Sequence, residues 1–196
     1  MAPHPDLTVV EGSVLSETDM KLAFAAANIP VNAVLVFLNP RRASNRRFSR
    51  FIGPPRLMAD ATANAARLLR QVYHEQPREE KPRLVVMNAL GSGESRKVTP
   101  LIIRLVIDYT NVGKTYEDHN AVDAEIEGNC GDDILWTLVL PVGLKDAGTE
   151  PVKTYGHTER GASLYITRES CARWMVDVAA GTMDDEFSNR RVIVSN

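Results

Sequence analysis

The chain has 196 residues, of which 44% are hydrophobic and 24% charged, and a formal net charge of −2. This is an ordinary composition for a globular protein with one real core. It offers no electrostatic reason to bind nucleic acid or an anionic membrane, and no apolar run approaches the roughly 20 residues that span a bilayer.

In chain order, "LTVVEG" (7–12) is β-branched and bounded by Gly12, as a strand would be. "LSETDMKLAFAAA" (15–27) reads as a helix, with Ser16 as N-cap and Asp19 three residues on. "VNAVLVFL" (31–38) is apolar at nearly every position, the pattern of a strand buried on both faces. A charge run with five arginines follows, "RRASNRRFSR" (41–50). The longest helix candidate covers 56–76, with Leu57, Ala61, Ala65, Leu68 and Val72 on its buried face. "RLVVM" (83–87) reads as another buried strand and leads into a glycine-punctuated loop, "NALGSGES" (88–95), expected to be a flexible rim segment. After "TPLIIRLVIDYT" (99–110) and a further helix come a strand at 134–141, a helix at 170–181 and the closing "RVIVSN".

Alternating strands and helices, with double-sided apolar strands, predict one α/β domain over 1–196: a parallel sheet with helices on both faces. Ligands of such sheets bind outside the carboxyl ends of the strands. Asn39 and Arg41, Asn88, and the segment reaching Leu144 each follow a strand. The arginine run reads either as a solvated loop or as an anion-facing lid with Arg41 nearest the strand. No CxxC or CxxH spacing surrounds Cys130 or Cys171, so structural zinc and a disulfide framework are not expected. With no secretory signal in "MAPHPDLTVVEG", a cytoplasmic setting is expected.

The chemically richest stretch is "TYEDHNAVD" (115–123). One reading is structural: Thr115 caps a helix and Asp118 returns a bond at N3. That reading leaves His119 unexplained. His119 and Asp123 are four apart on one helix face, so the carboxylate can orient a neutral imidazole for general acid/base work, assisted by Asp118. Tyr116 lies on the same turn as a substrate contact. No third metal ligand is evident nearby, and no metal is expected.

Taken in order, "LVVMNALGSGES", "YEDHNAVDAEI", "WTLVLPVGL", "YGHTERG" and "ITRESCARWMVDVA" resemble the NAD(P)-binding, NmrA-like atypical short-chain dehydrogenase/reductases. The likeness includes biliverdin/flavin reductase-like and fungal averufin-oxidase-like members and covers about residues 5–196. It implies a Rossmann-like fold. The family's first strand and its GxxGxxG pyrophosphate turn have no counterpart in this sequence, and the strand at 7–10 matches the family's second. Gly12-Ser13 stands where members carry Gly-Asp, Asn88 where they carry serine, and Leu140-Pro141 where they carry Arg-Pro. YxxxK is missing too: Asn120 follows Tyr116 by four, and Gly113 follows Tyr109.

These departures lead to the expectation of weak or absent nucleotide binding. The expected function is a cofactor-independent enzyme of secondary metabolism that isomerises, dehydrates or cyclises a polyketide-like small molecule. Two alternatives stand beside it: an NADPH-dependent oxidoreductase with an unusual cofactor pose, and a non-catalytic NmrA-like binding or regulatory protein marked by an exposed apolar patch. The missing strand would sit between those at 7–10 and 83–87. Either direct pairing of those two or closure by a second copy, hence a homodimer, is expected.

Overall fold

The structure, a computed structural model, describes residues 6–27, 29–44, 49–146, 148–183 and 185–196. In chain order its strands are β1 (Ala33–Val36), β2 (Arg41–Arg42), β3 (Phe51–Ile52), β4 (Arg83–Met87), β5 (Leu135–Pro141), β6 (Gly143–Lys145), β7 (Lys153–Gly156), β8 (Tyr165–Thr167) and β9 (Arg190–Ser195). Its α-helices are α1 (Glu17–Ala25), α2 (Leu57–Glu75), α3 (Leu101–Tyr109), α4 (Gly113–Cys130) and α5 (Arg168–Ala179). The main sheet runs β1-β4-β5-β9-β7. Its first four strands are parallel, with Val86 opposite Leu138 and Leu140 opposite Ile193, and β7 joins β9 antiparallel. Helices α2 and α4 pack on each other and on the sheet, while α5 packs on β1 and β4.

The core follows from the strand sequences. Consecutive residues Leu84, Val85 and Val86, and Leu138, Val139 and Leu140, are all buried. A strand buried at successive positions must be covered on both faces, which is what the flanking helices do. Helix α2 sits where expected, with Ala61, Ala65 and Leu68 buried, and Leu57 and Val72 half-buried. Nearly all of 58–66 is buried, because α2 lies between the sheet and α4, and its alanines permit close approach. Helix α1 keeps its predicted cap: the Ser16 side chain accepts from the Asp19 amide at 3.2 Å.

Several expectations are corrected. Residues 7–10 form no strand, and Leu7 and Val9 are exposed. The neighbours of β4 are β1 and β5, so the expected pairing of 7–10 with 83–87 does not occur. β1 is therefore an edge strand, half-buried at three of its four residues rather than covered on both faces. The sheet is not wholly parallel. β7 is mostly exposed, so its residues carry little of the apolar signal by which a strand is read. The arginine run turns back on itself as the β2–β3 hairpin, with Arg41 opposite Ile52; Arg46 and Arg47 lie outside the described residues.

Candidate functional site

Asn88 is the first residue beyond β4, and α4 passes beside it. Its amide nitrogen donates to the His119 carbonyl oxygen at 3.0 Å, which fixes the orientation of the side chain. Asn88 Oδ1 then faces His119 Nδ1 in a short hydrogen bond. An amide oxygen only accepts, so Nδ1 carries the imidazole proton and Nε2 keeps its lone pair. Burial pushes the His119 pKa down to about 4, with the Asp118 carboxylate opposing the shift. At neutral pH the site thus holds a neutral, oriented imidazole.

The orienting partner is Asn88, not Asp123. Asp123 accepts two bonds from Arg191 Nε, at 2.7 and 2.9 Å, and Arg191 also bonds Glu127. The Arg191 guanidinium lies 5.3 Å from the Trp136 ring centre. The capping expectation fails at Thr115 as well: α4 begins at Gly113, and the Thr115 hydroxyl donates to the Val112 carbonyl. Asp118 does act as a cap, but for another helix. Its buried carboxylate accepts from the Met58 and Ala59 amides, at 2.8 and 2.9 Å, and so closes the start of α2 from sixty residues away. Those bonds engage both carboxylate oxygens of Asp118, and its place is structural.

The Tyr116 ring lies tilted against His119, with ring centres 5.2 Å apart, and its hydroxyl donates to the Leu90 carbonyl at 2.8 Å. Burial raises its pKa to about 12, so the phenol stays protonated. The cavity onto which His119 opens is small, about 10 Å3, and Asn88, Ser92, Glu94, Asp123, His157 and Arg191 share its wall. Sequence reasoning missed Glu94, His157 and Arg191, which meet only through the fold. The arginine pair that opens "RRVIVS" is the one signal that could have pointed to Arg191.

The 88–95 loop is tied down rather than flexible. Ser92 Oγ donates to Ala89 O, Ser95 Oγ to Ser92 O and Thr99 Oγ1 to Ser95 O. Of the expected substrate contacts, Asn39 and Arg41 follow β1 and are exposed, whereas Leu144 lies in the small β6–β8 sheet and packs on the core. Among the described residues no group of three or more histidine, cysteine or acidic side chains is placed to hold a metal ion. Nor is any described helix long and apolar enough to cross a membrane.

A family model described as NAD(P)H-binding matches residues 1–181. No curated protein matches the chain. Among solved structures it is similar to a short-chain dehydrogenase/reductase of Veillonella parvula in complex with NADP, with TM-score 0.67 and 11% identity over 98% of this chain and 74% of that one. It is also similar to an anaerobillin reductase of Escherichia coli, with TM-score 0.60 and 10% identity over 94% and 72% of the two chains. A yeast methylglyoxal/isovaleraldehyde reductase complexed with NADPH matches with TM-score 0.55 and 12% identity, over 93% and 61%. The family match overturns the expectation of a protein without a cofactor, which had rested on the missing glycine turn, on the departures at Ser13, Asn88 and Leu140, and on the absent YxxxK. The chain belongs to the NAD(P)H-binding family and has its Rossmann-like, reductase-like fold.

Proposed function

We propose that the protein is an NAD(P)H-dependent oxidoreductase with an unusual cofactor pose, acting on a small carbonyl or alcohol substrate of polyketide-like character. The family match over residues 1–181 carries this reading. The described residues offer a cofactor only the strand-end rim of the parallel sheet. The carboxyl ends of β1, β4 and β5 present Asn39, Asn88 and Val142 along one rim, the place where a parallel sheet receives a ligand. They do not supply the pyrophosphate cradle. Gly91 and Gly93 have left-handed φ of +101° and +53°, but their amides already donate to Ser95 Oγ and Asn120 Oδ1. Bound NAD(P)H supplies the hydride in such chemistry. The protein's own contribution is proton handling at His119 Nε2, which would give a proton to the carbonyl oxygen as the carbon is reduced, and take it back from the alcohol in the reverse direction, while Asn88 holds the ring. Arg41 and Asn39 are proposed as substrate contacts at the same rim.

A screen of carbonyl compounds that follows NADPH consumption tests the proposal. His119→Ala should lower kcat by about 10²–10⁴-fold on any substrate found, the usual range for a general acid or base. Unchanged kcat in that variant would remove His119 from the chemistry. A second reading, a non-catalytic binding protein, is favoured by α3, whose Leu101, Ile102 and Tyr109 are 68%, 62% and 82% exposed. NADPH binding without turnover on any carbonyl compound would favour it.

A further inference from the structure

A cavity of about 300 Å3 lies between the segment that follows β4 and the loop that follows β7, apart from the His119 opening. Leu90, Val98, Leu101 and the buried Ile193 of β9 give it an apolar floor. Four charged side chains reach its wall, and two of them are already engaged. Lys97 pairs with Glu94 at 2.8 Å, and Glu159 accepts from the Gly156 amide at 2.9 Å. Arg104 and Arg160 are different. Arg104, half-buried, donates from Nε to the Thr99 carbonyl at 2.8 Å, and neither guanidinium has a carboxylate partner among the described residues. Two guanidinium groups without a carboxylate partner, over an apolar floor, suit a planar anion that accepts charge-assisted bonds from both. On α3 the floor continues outward: Leu101 and Leu105, one turn apart, are 68% and 43% exposed.

We propose that this cavity binds a carboxylate with an apolar body, the carboxylate held by Arg104 and Arg160 and the body laid along Leu101 and Leu105. A free phosphate would use the cations but leave the apolar floor and the α3 stripe uncovered. The site is independent of the nicotinamide reading, because its residues are not those of the His119 rim.

Octanoate and its neutral counterpart octanamide are suitable probes, titrated below micelle formation into the full chain and followed by amide NMR. Octanoate should shift the amides of Leu90, Thr99, Leu101 and Ile193, and octanamide should bind at least about tenfold more weakly. Arg104→Gln and Arg160→Gln should each weaken octanoate by about tenfold, the usual weight of one charge-assisted bond. Arg160 sits on an exposed loop, so its substitution leaves the fold intact even if loss of the Arg104–Thr99 bond does not. No shift at these amides, equal affinity for the amide, or wild-type affinity in Arg160→Gln would each overturn the proposal.

Discussion

At the scale of single residues, the 115–123 cluster divides its work between structure and chemistry. Asp118 satisfies two amides at the start of α2, both of which are buried. An unsatisfied buried donor costs about 1–3 kcal/mol, so Asp118→Ala should destabilise the fold by about 2–4 kcal/mol, as read by chemical denaturation. A loss below about 0.5 kcal/mol would show that water replaces the carboxylate. His119 makes a different claim. Its folded pKa, lowered to about 4, lies below the unfolded value of about 6.5, so the unfolded chain takes up the proton first as pH falls. Stability should therefore drop between about pH 6.5 and pH 4, by about 3 kcal/mol at the lower end. Denaturation series on wild type and His119→Gln would check this, since the variant should lose most of that slope. The imidazole itself was legible from the sequence, but its partner was not. Asn88 is thirty-one residues away and meets His119 only because α4 passes beside the carboxyl end of β4.

At the scale of elements, the long apolar patterns were legible and the short ones were not. Helix α2 stands out by the helical spacing of its buried residues, and strands β4 and β5 because burial on two sides imposes apolar runs. Strands β2, β3 and β7 have two to four residues and are largely exposed, so pairing rather than composition makes them strands. Residues 7–10 show the converse: a strand-like composition with no neighbour to pair with. The glycines and serines of 88–95 read as a flexible rim, yet the hydroxyls of that loop and of Thr99 close one carbonyl after another. Gly91 is the sensitive point of that turn. Its φ is +101°, and an added Cβ would sit 2.8 Å from Ile107 Cδ1. Gly91→Ala should cost about 1–3 kcal/mol, measured as a lowered midpoint in urea. A neutral result would mean that the turn has room to relax.

At the scale of the whole molecule, β1 forms an edge of the main sheet among the described residues. Ala33–Val36 carries no charge or proline, the usual guards of a free edge, and Phe37 just beyond it is 44% exposed. A homodimer closed through this edge is the corresponding proposal. Light scattering should give the mass of two chains, and the mass of one chain would reject it. The family match and the strand-end rim support a nicotinamide cofactor, although the chain lacks the usual glycine turn. Calorimetric titration of the purified protein with NADPH and NADH tests this most directly. Saturable binding of one of them, at one site per chain, is the predicted result; no saturable heat from either at millimolar concentration would contradict it.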